Sequence, residues 1–574
     1  MSDGPTVRAF NRRDLLRAAP IVAGVAGLGA LTNAWAGSAP GRPWFLDDRG
    51  RPNAGEPIVI TAPIEPLGVD ANPSGEQLLR LAGQIQGPET LDPHLARDLP
   101  TAFVLRQIYR GLTRLGADTQ PIPELTERIE ISADGLEYLF ALRPEATFHN
   151  GRQITAADVV FSLTHALDPA TAGGEAALLG GPTFLSDIDG ASELLSGDAA
   201  TLRGVEIVNG RTVRVRLVEP RAAFLMKVAA VQAAIIDPNN VAGSDEWWRR
   251  PNGTGPFRVA EWEPDSHLHL ERFDGYFAGP PPLERVEVAL GPNAFQSFNL
   301  YQADRVDLDS VPLDSIDFVL SGRNQLRREV TVSAFFGTFY IAFRADTPPM
   351  DDPLVRRAIF RAFPASRVAE LTFNGKVTAA TGLVPPGMLG QPWQATVTEY
   401  DLEAAREDLA ASRYGSADAT PTLEIYTSFG GPAESLRDVL RRDLGLACEA
   451  YSVDWPQFID GLARRRFPAY SWYWGADYPD PESFLWTLFG ADSPDNYVGY
   501  ENPAMNDLLG QARGESDVVR RAELYFEAQE LLMADHVVMP LYHDFAHTLI
   551  KPYVRDVEIT PLGIVRLDTV WLER

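Results

Sequence analysis

The sequence has little cysteine, few positive charges and no long apolar run beyond its amino terminus. Cys448 is the one cysteine among 574 residues, so no intrachain disulfide can form and stability must come from a hydrophobic core. After Leu31 no apolar run approaches the roughly 20 residues that a membrane span requires. The 51 lysines and arginines are outnumbered by 78 aspartates and glutamates, which gives a net charge of −27. Because nucleic acids and anionic lipid surfaces bind basic patches, this balance disfavours both as partners.

The sequence also lacks the common signatures of nucleotide and acyl chemistry. It contains neither a GxxxxGK[ST] loop nor a GxSxG elbow, and Cys448 lies in the apolar stretch GLACEA. His543 and His547, four residues apart and beside Asp544, would suit zinc if they lay on a helix, but MPLYHDFAHTLI has the pattern of a strand. We therefore expect no enzyme, no cofactor and no metal, with a metal-dependent hydrolase as the remote alternative.

The amino terminus has the form of an export signal. Residues 8–36 combine a basic start, an apolar stretch from Ala18 to Leu31 and a final Ala-Trp-Ala triplet. Within them, NRRDLL resembles the twin-arginine export motif, whose arginine pair is recognised by a receptor. We expect a signal peptide over residues 1–36 with cleavage after Ala36; an uncleaved membrane anchor is the alternative. Both place the folded chain in the periplasm or on the extracellular face of the cytoplasmic membrane.

The remainder of the chain has mixed helix and strand patterns. Residues 37–77 are rich in Pro, Gly and Asp, which predicts a tether with one short strand at Ile58 to Thr61. The folded body begins near Leu78. Apolar spacing predicts strands at 78–85, 138–144, 213–219, 267–273, 285–291 and 422–428, and helices at 101–115, 155–168, 352–363, 401–412 and 517–535. Thr155 and Asp158 form a variant of the capping box. With no internal repeat, this mixture predicts an α/β body.

The most informative segment is WYWGADYPDPESFLWTLF, residues 472–489, which combines aromatic rings, three carboxylates and two prolines. Aromatic side chains give apolar contact area, whereas Asp477, Asp480 or Glu482 would need a cationic partner if buried among them. The segment therefore predicts a binding wall that offers a carboxylate to a ligand ammonium group. A surface loop with solvated carboxylates is the alternative.

Motifs in a fixed order resemble the solute-binding proteins of peptide and nickel ABC importers. They include LDPHLARD (91–98), GLEYLFALRPEATFHNGRQITAADVVFSL (135–163), NGTGPFRVAEWEPDSHLHLERFDGYF (252–277), DDPLVRRAIFRAF, LVPPGMLG, ADYPDPESFL and NYVGYENPAMNDLL. The resemblance implies a bilobal α/β fold of the periplasmic-binding-protein type II, with an extra domain and with ligand enclosed between hinged lobes. The implied limits are 78–110, 230–312 and 543–574 for lobe I, 111–229 for the extra domain packed on it, and 313–542 for lobe II.

The same resemblance assigns ligand-binding residues. Asp477 matches the acidic residue that pairs with the amino terminus of a bound peptide in the family, and Trp455 matches a tryptophan that lines side-chain pockets. Trp474 and Tyr478 flank the acid, and Asn496 with Tyr497 are further candidates in the NYVGYENP motif.

Some positions depart from the family pattern. No arginine precedes Trp472 where some members hold a ligand carboxylate; Ser471 stands there. Arg344 replaces the asparagine that is common after the IAF strand, and we expect it to supply the carboxylate partner instead. Arg464, Arg465 and Arg466 are expected on a solvated helix end.

The expected function is that of a monomeric, non-enzymatic receptor. It would bind di- or oligopeptides and deliver them to the transmembrane permease subunits of an ABC importer, whose cytoplasmic ATPase subunits supply the energy. The main alternative keeps the scaffold and changes the solute. Trp472, Trp474 and Trp486 would stack equally well on an oligosaccharide, and a nickel chelate or haem are further solutes on this scaffold.

Overall fold

The computed structural model describes residues 57–68, 71–82, 88, 90–294, 296–373, 375–428 and 430–574. The predicted export signal at 1–36 and the first part of the predicted tether lie outside these residues. Within the described ranges, no helix has the length and apolar character needed to cross a membrane.

Strands and helices alternate along the described chain. The strands are β1 (Ile58–Thr61), β2 (Leu78–Ala82), β3 (Thr113–Leu115), β4 (Pro121–Pro123), β5 (Thr126–Ile131), β6 (Glu137–Leu142), β7 (Val205–Asn209), β8 (Thr212–Arg216), β9 (Phe257–Glu263), β10 (His267–Arg272), β11 (Arg285–Ala289), β12 (Leu308–Ser310), β13 (Val330–Phe343), β14 (Thr378–Ala379), β15 (Leu423–Thr427), β16 (Cys448–Ser452), β17 (Ala469–Gly475), β18 (Val538–Ile550), β19 (Val554–Arg555), β20 (Glu558–Ile559), β21 (Val565–Arg566) and β22 (Trp571–Leu572). The helices are α1 (Leu99–Ile108), α2 (Ala156–His165), α3 (Pro182–Leu185), α4 (Ala191–Leu195), α5 (Phe224–Lys227), α6 (Pro238–Val241), α7 (Ser297–Gln302), α8 (Ile316–Leu320), α9 (Pro353–Ala362), α10 (Ala365–Phe373), α11 (Leu402–Ala411), α12 (Pro432–Val439), α13 (Trp455–Ala463), α14 (Glu482–Phe489), α15 (Pro503–Gly514) and α16 (Val518–Ala534).

A small antiparallel sheet forms a body of its own. In the described residues its order is β1-β5-β6-β8-β7, and its buried face packs with α2 around a core that includes Ile129, Phe140 and Val213. The predicted strand at Ile58 to Thr61 is present as β1, paired with β5. The end of the predicted tether therefore contributes an edge strand to this small-sheet body.

A large sheet runs through two further cores. Among the described residues its order is β16-β15-β17-β13-β18-β12-β2-β11-β10-β9, and β14 is added beside β18. One flank, from β12 to β9, packs in a core that contains Leu79, Leu268 and Val286. The other flank packs on α9 to α12 in a separate core. These two cores are the interiors of two lobes.

The long strands β13 and β18 connect the lobes. They pair through Val330–Ala334 and again through Thr338–Ala342, with a register shift between Ala334 and Thr338. β12 pairs with one end of β18, whereas β17 pairs with the other end of β13. The irregularity between the two stretches is where bending between the lobes is least hindered by ladder hydrogen bonds.

The chain just before β13 packs toward the first lobe. Val306, Ile316 and Val319 share a cluster with Leu549, which lies on the lobe I end of β18. Residues 313–320 therefore pack with lobe I, although the predicted limits place them in lobe II. The residue limits of the lobes stay a prediction.

Local sequence signals account for many element boundaries. Thr155 and Asp158 form the predicted capping box at the start of α2. The side chains of Asp401 and Asp517 accept backbone hydrogen bonds at the starts of α11 and α16. The other predicted strands are present as β2, β6, β8, β10, β11 and β15.

The predicted helix at 101–115 is wrong in its second half. α1 ends at Ile108, and residues 113–115 form β3 instead. The helical spacing joins residues of different cores, since Ile108 is buried in the lobe I core and Leu112 in the small-sheet core. Gly111 lies between Ile108 and Leu112 in the sequence and packs closely against another part of the main chain. A Cβ at this position would lie 3.0 Å from the Val228 carbonyl oxygen.

Candidate functional site

The segment predicted as a binding wall folds as a strand, a turn and a helix. β17 ends at Gly475, the turn contains Asp477, and α14 follows. Since successive strand side chains point to opposite faces, Trp472 and Trp474 lie on one face of the large sheet and Tyr473 on the other. Each face carries a candidate site.

Adjoining aromatic rings cover the first face, and we name them the tryptophan face: Trp455, Trp472, Trp474 and Tyr497. The Trp472 ring centroid lies 6.1 Å from those of Trp455 and Trp474 and 5.8 Å from that of Tyr497, on which it stacks. Trp455 is 48% exposed at the start of α13, whereas Trp472 is buried. Three predicted site residues are thus brought together around a fourth aromatic residue.

The three carboxylates of the turn have different surroundings. Asp480 is fully buried and forms an ion pair with Arg521. The Glu482 carboxylate lies 2.8 Å from the Lys227 ammonium and 3.0 Å from the Arg513 guanidinium. Among the described residues, Asp477 has no ion-pair or hydrogen-bond partner for its carboxylate. Cations of the protein therefore pair with Asp480 and Glu482, whereas the Asp477 carboxylate has no such cation.

Asp477 is held beside the tryptophan face by Ser483. The Asp477 amide donates to Ser483 Oγ at 3.0 Å, and the Trp474 indole N–H donates to the Ser483 carbonyl oxygen at 2.9 Å. Burial raises the pKa of Asp477 to about 7; nearby Asp495 adds to this effect and Lys227 opposes it. A desolvated carboxylate of this kind is stabilised by a ligand cation.

Asp495 adds a second carboxylate that the sequence reasoning missed. The Tyr497 hydroxyl donates to it at 2.6 Å. Burial raises the pKa of Asp495, against the opposing effects of the Tyr497 hydroxyl and of Arg97. Arg97 is exposed on the chain just before α1, so a lobe I cation is within electrostatic reach of the lobe II acid. The position of Asp495, directly before the NYVGYENP motif, was the available signal.

Tyr478 lies away from the tryptophan face. It is 2% exposed and belongs to the core of the small-sheet body, with its ring 6.4 Å from Phe184. The Lys227 ammonium lies 5.1 Å from the ring centroid. This arrangement makes Tyr478 a contact between lobe II and the small-sheet body.

The side chains of Asn496 and Arg344 bind neighbouring groups of the protein itself. The buried Asn496 amide donates to the Gly490 and Tyr500 carbonyl oxygens, which closes its own loop. Arg344 is ion-paired with Asp346 at 2.7 Å and donates to the Arg465 carbonyl oxygen. It follows Phe343, which pairs with Ala469 at the far end of β17, about 20 Å from Gly475 at the strand rise of roughly 3.3 Å per residue. The structure therefore does not bring Arg344 to Asp477. As predicted, Arg464 and Arg466 are exposed beyond the end of α13.

The second face of β17 borders a cavity of about 490 Å³, which we name the tyrosine cavity. Its lining includes Leu313, Phe339, Tyr473, Tyr542 and Asp544. Sequence reasoning found none of these as ligand contacts, because the pairing of three distant strands assembles them.

The two histidines of the hydrolase alternative lie on a strand, as predicted. They are four residues apart on β18, so their Cα atoms are separated by about 13 Å at the rise of an extended strand. His543 Nδ1 is 2.9 Å from Thr338 Oγ1, and His547 Nδ1 is 3.2 Å from the Phe545 carbonyl oxygen. This spacing does not support a shared zinc ion.

Comparison with known proteins identifies the family. The family described as "Bacterial extracellular solute-binding proteins, family 5 Middle" matches residues 120–496, more than half of the chain. This chain belongs to the family 5 solute-binding proteins. A probable di/tripeptide-binding protein of Pseudomonas aeruginosa is 30% identical over 79% of the chain and 87% of its own length. A probable deoxycholate-binding periplasmic protein of Escherichia coli is 27% identical over 87% of the chain and 94% of its own length.

Solved structures agree on the fold. A periplasmic binding protein from Helicobacter pylori, in complex with the peptide STSA, matches with a TM-score of 0.73 and 23% identity, covering 87% of this chain and 98% of its own. This likeness confirms the predicted bilobal fold class, and the matching family model confirms the predicted family. The family model and the relatives also confirm the predicted role as a solute-binding protein.

Proposed function

We propose that this protein captures short peptides by their amino terminus and delivers them to an ABC importer. The observation that carries the proposal is Asp477, the carboxylate of the turn that has no cation of its own in the described structure. A peptide ammonium group would supply the missing positive charge through a charge-assisted hydrogen bond.

The tryptophan face supports the same role. Its rings are held by one another and by Ser483, so they offer apolar contact without a large loss of side-chain freedom on binding. Apolar walls of this type accept many side chains, and the ligand main chain then supplies most of the affinity. The name of the 30% identical relative, a di/tripeptide-binding protein, is consistent with short peptides.

Delivery to the membrane requires partners that this chain does not contain. The sequence has no phosphate-binding loop, so ATP hydrolysis belongs to other subunits. We propose further that the receptor is a monomer and that it is exported by the twin-arginine route. We also propose that its closed, liganded form binds the permease more tightly than its open form does.

Native mass spectrometry of the mature protein, purified from its own export compartment, tests this function. Denaturation releases any ligand that stays bound during purification, so that it can be identified. Di- or oligopeptides are the expected result. A protein that releases no peptide and shows no heat of binding with Ala-Ala-Ala contradicts the proposal.

A second candidate is a flat, non-peptide solute on the same scaffold. Stacked rings such as Trp472 and Tyr497 also bind sugars, and a relative of this chain is named for binding deoxycholate. Release of a bile acid or an oligosaccharide in the same measurement would favour this candidate and remove the role given to Asp477.

A further inference from the structure

The tyrosine cavity is an apolar space with one charged group. Phe339 and Tyr542 stack with ring centroids 5.2 Å apart, and Tyr473 lies beside them with centroids 6.5 Å from Phe339. Leu313, from the segment that precedes β13, also lines the cavity. Among the described lining residues, Asp544 is the one that carries a charge.

The Asp544 carboxylate is held among these rings without a cation. It accepts a hydrogen bond at 2.8 Å from the amide of its own neighbour, Phe545. No arginine, lysine or histidine forms an ion pair with it among the described residues. Burial raises the pKa of Asp544 to about 6, and the Phe545 amide partly offsets this. Asp544, like Asp477, is therefore a desolvated carboxylate without a paired cation in the described structure.

We infer that the tyrosine cavity receives the positively charged end of a solute side chain, an amine or a guanidinium group, and that Asp544 selects for it. This inference rests on the proposed function and narrows it to peptides with a basic side chain. A neutral apolar group would fill the space but would leave the carboxylate desolvated and unpaired. A cation, in contrast, is attracted both by the carboxylate and by the faces of Tyr473 and Tyr542.

Cross-strand pairing gives the spacing between the strands that lead to the two acids. Trp474 pairs with Thr338, and Thr338 pairs with His543, the residue before Asp544. Two inter-strand steps of about 4.8 Å separate Trp474 from His543, or roughly 10 Å. Because Asp544 lines the cavity on the other face of β17, a peptide with its amino terminus at Asp477 would have to pass the end of this strand, at Gly475, to place a basic side chain at Asp544.

Calorimetry with matched peptides tests the inference on the full mature protein. The probes are Ala-Ala-Ala and two series in which lysine or norleucine, its neutral counterpart, occupies each position in turn. We expect the wild type to bind one lysine peptide at least about tenfold more tightly than its norleucine counterpart. Asp544→Asn should reduce this ratio to near one, whereas Asp544→Glu and the control Asp418→Asn should keep it. Far-ultraviolet circular dichroism verifies that each variant is folded.

Each outcome separates the inference from the proposed function. Tight binding of Ala-Ala-Ala with no lysine preference, or a preference that survives in Asp544→Asn, overturns the inference and leaves the peptide function standing. If no peptide binds, the peptide function fails. The inference about the tyrosine cavity is then tested by the solutes that the native protein releases on denaturation. Release of solutes without an amine or guanidinium group overturns the inference. Release of cationic solutes supports it.

Discussion

At the residue scale, the turn between β17 and α14 shows how the fold leaves one carboxylate without a cation. Asp477, Asp480 and Glu482 lie within six residues, but Arg521 pairs with Asp480, and Lys227 and Arg513 pair with Glu482. Cations from other elements thereby neutralise two of the three carboxylates. The third, Asp477, is left without a cation. Residue type alone does not distinguish a structural acid from a binding acid; the distribution of cations does.

Asp477→Asn should lower the affinity for Ala-Ala-Ala by about 2 to 5 kcal/mol, because one partner of a desolvated charge pair is lost. Asp418→Asn, which removes one exposed negative charge elsewhere, is the matched control. Isothermal titration calorimetry measures the affinities, and thermal unfolding monitors the fold. Equal affinities for the two variants would exclude Asp477 as the partner of the ammonium group.

The raised pKa of Asp477 predicts a pH dependence of binding. With a pKa of about 7 in the free protein, the carboxyl is increasingly protonated below pH 7, and a ligand ammonium must then displace that proton. The affinity for Ala-Ala-Ala should therefore fall as the pH drops from 7.5 to 5, by up to about tenfold per unit. Asp495 also has a raised pKa, so the difference between the wild type and Asp477→Asn isolates the contribution of Asp477. A flat wild-type profile would contradict the assigned ionisation.

At the element scale, the strand order decides which predicted residues meet. The strands and capped helices followed from local patterns, such as Thr155 with Asp158 at the start of α2. The family resemblance correctly implied two lobes and named three of the rings on the tryptophan face. Arg344 and Tyr478 could not be placed in this way, because the register of β13 against β17 and the contact with the small-sheet body decide their surroundings. Asp544 was visible in the sequence, but its neighbours Tyr473 and Phe339 come from other strands.

The pairing of β13 and β17 depends on a close approach at Gly337. A Cβ on Gly337 would overlap the hydroxyl of Tyr473 and lie 2.9 Å from Phe335 Cδ1. Gly337→Ala should therefore lower the free energy of unfolding by about 1 to 3 kcal/mol, the usual cost of overpacking. Removal of the hydroxyl in Tyr473→Phe should recover part of this loss, which denaturant titration of the single and double variants can measure. Strictly additive effects would show that the two groups do not clash.

At the scale of the whole molecule, buried ion pairs join the small-sheet body to lobe II. Asp187 and Lys227 belong to the former, and Glu482 and Arg513 to the latter. Burial opposes ionisation of Asp187, but Lys227, Arg513 and Arg221 together hold its pKa below its usual range. The Ala222 amide also donates to the Arg513 carbonyl oxygen at 3.0 Å. This junction holds a lobe II helix against the small-sheet body, so we expect it to favour the closed form over an open one.

Two substitutions of buried cations separate the stability of lobe II from its attachment to the small-sheet body. Arg521→Met leaves Asp480 with no cation among the described residues, and we expect it to cost about 3 to 5 kcal/mol of unfolding free energy without changing the radius of gyration. Lys227→Met leaves each carboxylate another cation, since Glu482 keeps Arg513, so its cost in stability should be smaller. Because Lys227 connects two bodies, its loss should increase the radius of gyration of the ligand-free protein in small-angle X-ray scattering. An unchanged radius of gyration for Lys227→Met would show that the ion pairs at this junction do not hold the closed form.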